Sequence, residues 1–449
     1  MSSGYIKRKI DDDLLVWARD DSGRKPLLIR GARQVGKSWA IRNLGKQFKY
    51  LVEINFERKR DKEAKDLFEK GGLSVQELSD ELARIYNTPI VPGKTLLFLD
   101  EIQACLPAIS SLRYFYEEYG ELHVAAAGSL LEFALAELPS FGVGRIRSMY
   151  MYPLSFFEFL DACYEHDLLL QAVKKADFKN PLSEPVHNTV IKDLKKFLIL
   201  GGMPEVVYTY INTKDSLKCQ QVLDDLIISL RADFAKYKTK VPTTQISTVF
   251  DSVVNQMGKK FVYSNVPGDY IHRQLKEALE LLVMAGLVIP VTHTAANGIP
   301  LGAQINIKKQ KMLMLDTGIF QRILGLPMSD VIIYDDFSIV NKGGIAELFV
   351  GLELLKAESP YQQKSLYYWH RESKNSNAEI DYVVQSGQNI IPIEVKSGTK
   401  GAMQSMRIFL NEKNAPYGIR TSLENYGELP DIRIIPVYGV GTEIFGQVR

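Results

Sequence analysis

Apolar residues in the first 130 positions fall into short runs separated by stretches with helical spacing. Pro26-Leu27-Leu28-Ile29-Arg30 is one such run, closed by Gly31. Tyr50–Phe56 and Thr95–Leu99 repeat it, and His123–Ala127 is a fourth run, richer in alanine than strands usually are. Between them Leu78, Leu82 and Ile85 share a helix face, and Ser74 with Glu77 three positions on is a capping-box signature just ahead of it. Strands alternating with helices predict a parallel sheet covered on both faces, an α/β fold.

Past about residue 150 the alternation fades. Positions 153–235 read as mainly helical, with a break at Gly201-Gly202-Met203-Pro204. Ile246, Val249, Phe250, Val253, Val254 and Met257 then follow i, i+3, i+4, i+7, i+8, i+11, an amphipathic helix. A second helix is expected over Tyr270–Ala285, and after it two strand-like runs with a turn at Asn297-Gly298. Helices followed by a hairpin resemble a winged helix. From about residue 335 the pattern is helix, strand, strand.

The chain has 449 residues, which at about 150 per domain suggests roughly three domains. Apolar residues make up 46% and charged residues 24%, the balance of a globular protein in water. Lys plus Arg number 55 against 53 Asp plus Glu, a net charge of +2. That excludes a chain basic throughout but leaves room for a basic patch on one domain. Cys105, Cys163 and Cys219 form no CxxC pair, so neither a zinc ribbon nor a disulfide framework is indicated. The N-terminal MSSGYIKRKIDDD has no apolar core of a signal peptide, and the apolar stretch at Leu281–Val291 is too short to span a bilayer. A cytoplasmic protein with no membrane partner is expected. The six histidines, His123, His166, His187, His272, His293 and His370, have no metal-ligand spacing.

The chemistry is concentrated in Gly31-Ala32-Arg33-Gln34-Val35-Gly36-Lys37-Ser38, which matches G-x-x-x-x-G-K-[ST] between a strand and a helix. Gly31 and Gly36 let the backbone fold around phosphates, and the intervening amides point at their oxygens. Lys37 is expected at the β- and γ-phosphates and Ser38 in the Mg²⁺ shell. The run Leu96–Leu99 ends in Asp100-Glu101, at the C-terminal end of a strand, where ligands of α/β sheets bind. Asp100 is expected to hold Mg²⁺ through water, and Glu101 to orient and polarise the attacking water. Ser129 ends the next strand and is placed either to touch the γ-phosphate or its water, or to cap the segment Leu130–Leu135. Arg145, and second to it Arg147, are candidates for an arginine finger donated across a subunit boundary, with a solvated surface role as the alternative. The motif alone leaves ATP and GTP open.

These motifs in this order resemble the AAA-type ATPases of bacteria and archaea that carry a C-terminal domain of unknown function related to restriction-endonuclease folds. The resemblance rests on Tyr5–Arg8 with Asp11, GARQVGKS, LLFLDEIQ (Leu96–Gln103), AAAGSLLEF (Ala125–Phe133), GRIRSMYMYPLSFFEF (Gly144–Phe159), GGMPEVV (Gly201–Val207) and IEVKSG (Ile393–Gly398). It implies an AAA-type ATPase core over 1–152, a helical lid over 153–240, a winged-helix segment over 241–330 and a nuclease-like α/β domain over 331–449. It also implies ATP rather than GTP, and Pro204 beside the adenine.

In the tail, Glu347 falls in a helical run, Asp381 in a strand-like run, Ala378–Val384, and Glu394 and Lys396 in Ile391–Lys396. Side chains two apart in a strand point the same way, so Glu394 and Lys396 share a face that Asp381 can join. Such a D…ExK set would bind Mg²⁺ through Asp381 and Glu394, with Glu347 as an extra ligand and Lys396 steadying the water. Chance alternation on a sheet edge gives the same pattern, and a binding or structural role is the alternative to cutting. Lys259, Lys260, Lys308, Lys309 and Lys311, with Lys236, Lys238 and Lys240 before them, suit DNA phosphates around the expected winged helix. The leading expectation is an ATP-driven, oligomeric machine acting on DNA or a DNA-bound partner. The alternatives are a signalling or defence switch gating the tail, and a DNA-binding regulator with a vestigial ATPase.

Overall fold

The computed structural model describes residues 4–138, 144–164, 168–237, 241–328, 342–372, 378–396 and 403–445. Gly142-Val143, His166, Lys238, Lys240 and Ser397-Gly398 lie outside the described residues. The chain divides into two compact units. The first comprises Met1–Pro153 with Met284–Gly286 and Ser359–Gln363, and the second takes the rest.

The first unit is built on a five-stranded sheet in the order β2-β3-β4-β1-β5, with every pairing parallel. Its strands are β1 (Leu27–Arg30), β2 (Tyr50–Asn55), β3 (Thr95–Asp100), β4 (His123–Ala127) and β5 (Arg147–Tyr150). All six residues of β3 and all five of β4 are buried, as expected where helices cover both faces. Leu28, Val52, Ile54, Leu97, Leu99 and Ala126 pack on the helices Lys62–Lys70, Val75–Ile85 and Leu106–Tyr119 through Phe68, Leu82 and Leu112. The Ser74 capping box is present: Ser74 Oγ accepts from the Glu77 amide at 3.2 Å, and the Glu77 carboxylate accepts from the Ser74 amide at 2.9 Å. β5 has no strand signature in the sequence, yet it pairs with β1 over Leu27–Arg30.

The second unit begins with the helices Phe156–Cys163, Leu168–Lys175, Glu184–Leu200, Pro204–Thr213 and Ser216–Ala232. The break at Gly201 is enforced by packing. Its φ is +75°, and a Cβ there would lie 2.1 Å from Asp316 Oδ1. Asp316 accepts from the Gly202 amide at 2.6 Å and caps the helix Thr317–Ile323 through Ile319 at 3.0 Å. The helices Thr243–Asn255 and His272–Met284 follow, then β6 (Val288–Thr294) and β7 (Ile305–Met314). The connection between these strands is longer than a two-residue turn and includes a 3₁₀ segment, Leu301–Gln304.

The hairpin does not end its own sheet. β6 pairs in parallel with β8 (Leu366–His370), which pairs with β9 (Glu379–Ile380), giving the order β7-β6-β8-β9. A separate five-stranded sheet, β10-β11-β12-β14-β13, contains β10 (Tyr382–Ser386), β11 (Asn389–Val395), β12 (Gly418–Ser422), β13 (Gly427–Leu429) and β14 (Ile432–Pro436). The run expected as one strand, Ala378–Val384, therefore splits at Asp381, whose Oδ2 accepts from the Val395 amide at 2.8 Å.

Candidate nucleotide site

Strand β1 ends at Arg30, and the chain turns at once into the loop Gly31–Gly36 before the helix Lys37–Gly45. Gly31 has φ +139°, and a Cβ there would lie 2.1 Å from the Met151 carbonyl oxygen, so only glycine fits. Gly36 at φ 100° and Gln34 at φ 63° complete a backbone that turns its amides inward ahead of a helix N-terminus. Ala32 and Val35 are buried and Arg33 half-buried along this loop. The Arg8 guanidinium braces it, donating to the Val35 carbonyl at 2.9 Å and to the Tyr152 carbonyl at 2.8 Å.

Lys37 is buried, and its ammonium donates to the carbonyls of Gly31 at 2.8 Å and Ala32 at 2.6 Å. Burial lowers its pKa to about 8, against the pull of Glu101 and Asp100. Ser38 Oγ donates to Asp100 Oδ1 at 2.8 Å. Asn55 at the end of β2 donates to Asp100 Oδ2 at 3.0 Å. Burial raises the Asp100 pKa, partly offset by the Ser38 bond. A hydroxyl and a buried carboxylate held together at a helix N-terminus suit Mg²⁺ accompanying a triphosphate.

Glu101 stands at the strand end with a left-handed backbone, φ 49° and ψ 44°. Two neighbours hold its carboxylate. Gln103 Nε2 donates to Oε2 at 2.7 Å, and Ser129 Oγ donates to the same oxygen at 3.2 Å. Ser129 is not the cap of the helix Leu131–Glu137, whose N-cap is Leu130. Asn55 escaped notice in the sequence because only the folded sheet brings it to Asp100, and Gln103 because only the 3₁₀ turn after β3 bends it back to Glu101. Gln103 stands just two residues beyond Glu101, the one available signal. Arg145 is exposed and paired with Glu117, and Arg147 lies over the Tyr361 ring. Pro204 belongs to the second unit, where it opens the helix Pro204–Thr213.

In the tail, Lys396 pairs with Glu394 at 2.5 Å. Glu347 and Asp381 instead face Lys311, at 2.8 and 3.7 Å. Lys311 was expected on the surface among lysines suited to DNA, but it is 1% exposed. The acidic partners that compensate its charge lie far along the chain, which is why its own surroundings in the sequence gave no sign of burial. As arranged, the carboxylates surround an ammonium and do not fit Mg²⁺ as well. Among the described residues no group of three His, Cys, Asp or Glu side chains is arranged to hold a metal. Among those residues, too, no helix is long and apolar enough to cross a membrane.

Residues 23–160 match the AAA domain, residues 191–330 a domain of unknown function (DUF8612), and residues 342–439 another (DUF4143). No curated protein matches the chain. Among solved structures, the chain is similar to a Walker-type ATPase of Pyrococcus abyssi, at 14% identity over 71% of this chain and 96% of that one, with a TM-score of 0.46. It is similar to the Orc1 protein of Aeropyrum pernix, solved in complex with DNA, at 12% identity over 74% and 94%, TM-score 0.27. A third is a signal-transduction ATPase with numerous domains and a tetratricopeptide repeat sensor from Pyrococcus horikoshii, at 11% identity over 79% and 46%, TM-score 0.27. The AAA match covers most of the first unit and implies that it binds nucleotide.

Proposed function

We propose that this chain binds ATP with Mg²⁺ in its first unit, hydrolyses it, and uses the cycle to act on DNA or a DNA-bound partner. The observation that carries the hydrolytic reading is the convergence of Gln103 and Ser129 on Glu101, one residue beyond the Ser38–Asp100 pair. The amides of Gly31–Ser38 hold the phosphates, and Lys37 leaves its loop carbonyls for the β- and γ-oxygens. Ser38, and Asp100 through water, would hold Mg²⁺, which would supply charge neutralisation at the phosphates. Glu101 orients the attacking water and accepts its proton, while Gln103 fixes the carboxylate that does so. Ser129, beside that carboxylate, can exchange its bond for the γ-phosphate.

Arg145 pairs within its own chain, so a finger role requires a homo-oligomer in which it trades Glu117 for a neighbour's γ-phosphate; Arg147 is the second candidate. Exposed Lys259, Lys260 and Lys308 near the two helices and the hairpin support phosphate contacts of the winged-helix kind. The alternative, a switch in which ATP state gates the tail, is favoured by the sheet that the hairpin shares with β8 and β9. The restriction-endonuclease-like reading of the tail rests on the resemblance and on the Glu394–Lys396 pair, with a binding role preferred over cutting.

The test is steady-state ATP hydrolysis by the purified chain, with and without double-stranded and branched DNA, beside Lys37→Ala. Stimulation by DNA that the variant lacks supports the DNA-linked machine. Hydrolysis indifferent to DNA moves the reading to the switch, and no hydrolysis above the variant removes the enzyme.

A further inference from the structure

The acidic cluster of the second unit already holds a cation. Lys311 sits on β7, and its backbone is flanked on both sides. It faces Val291 of β6 on one and forms a bridge to Lys260 on the other. Its ammonium lies 2.8 Å from Glu347 and 2.6 Å from Glu379, with Asp381 at 3.7 Å and the Tyr368 ring centre at 5.3 Å. Burial alone would lower the pKa of this amine. Glu347, Asp381 and Glu379 outweigh it and raise the pKa above the ordinary lysine value, so the group is charged. Glu347 is buried and Asp381 and Glu379 are half-buried, and carboxylates gathered this closely need compensating charge, which Lys311 supplies from within the chain.

We propose that Lys311 is the resident cation of this cluster and occupies the place a divalent metal would need, so that the tail takes up no Mg²⁺ or Mn²⁺ while Lys311 is seated. Mg²⁺ demands oxygens at about 2.1 Å in near-octahedral order. Carboxylates gathered around an ammonium cannot also give that shell, and the two cations would repel at close range. The backbone pairing on both flanks of Lys311 keeps the side chain from leaving with a loop movement. The cluster therefore ties β7 to the helix Lys342–Ala357 and to the β9–β10 bend by charge. Metal-dependent cutting by the tail is not expected. This inference does not depend on the ATPase reading.

The experiment uses the full chain free of nucleotide. Bound Mn²⁺ and the thermal midpoint are measured for the wild type, Asp381→Asn, Lys311→Met and the Lys311→Met/Asp381→Asn double variant. The wild type should hold no Mn²⁺ that Asp381→Asn removes. Lys311→Met should gain one Mn²⁺ site and a midpoint that rises with millimolar Mn²⁺, and the double variant should lose both. A wild-type Mn²⁺ site sensitive to Asp381→Asn overturns the proposal, as does a folded Lys311→Met with no gain. Should Lys311→Met fail to fold without metal, amine-reactive labelling of the wild type decides. Lys311 should stay protected at millimolar Mn²⁺, and labelling that Mn²⁺ induces would show the ammonium displaced.

Discussion

Lys37 is an amine poised to change its charge when nucleotide arrives. Burial brings its pKa to about 8 in the nucleotide-free site. Phosphate oxygens favour the charged form and raise that value. Binding at about pH 8 should therefore take up a fraction of a proton, and binding at about pH 6, where the amine is already protonated, should take up none through Lys37. For the same reason affinity should fall as pH rises past the free pKa. Calorimetry in buffers of different ionisation enthalpy reads the proton directly, and uptake at pH 8 that persists in Lys37→Met would assign it elsewhere. Glu101 and Gln103 separate in another way. Glu101→Gln should bind ATP yet turn over at least about a hundredfold more slowly. Gln103→Ala leaves the acid in place but frees its carboxylate, so kcat should drop roughly tenfold with KM for ATP little changed. An equal loss in KM would make Gln103 a binding residue instead.

At the scale of elements, β3 and β4 were readable because every position is buried, so each shows its environment in its residue type, and β1 and β2 because their buried positions, Asn55 aside, are apolar. Asp100 was readable for the same reason, as the first charged residue after such a run. β5 was not. Its four residues, Arg147–Tyr150, include an exposed arginine, and it is a strand because β1 offers an open edge. The Asp381 break and the seat of Lys311 were likewise hidden, since both depend on partners distant in sequence. The Gly201-Gly202 break was visible, but its cause, Asp316, was not. Asp316→Ala should remove a helix cap worth about 1 kcal/mol. It should also leave the buried Gly202 amide unpaired, at about 1–3 kcal/mol more. Urea unfolding of the full chain, followed by a probe in the second unit, should show a loss of about 2–4 kcal/mol there. A loss under about 1 kcal/mol would mean that water replaces the carboxylate.

For the whole molecule, the proposed function would put ATP chemistry in the first unit and DNA contact in the second. With a net charge of +2 the chain has no general attraction for DNA, so binding must come from a local patch. Of the lysines expected to meet DNA at the hairpin, Lys311 is buried and Lys309 pairs with Glu372, whereas Lys259, Lys260 and Lys308 are exposed. Phosphate contacts release counterions, and each contributes about 0.9 to the slope of log K against log salt. The triple change of these lysines to alanine should weaken DNA binding at low salt about equally for unrelated sequences and reduce the slope by about 3. Lys311→Arg, with the charge kept in the buried cluster, should leave the slope as it was. Fluorescence anisotropy with a labelled duplex across a salt series measures both. A triple variant that keeps the full slope would take DNA away from this surface and leave the hairpin as a protein contact, and the switch would then be the better account of what ATP drives.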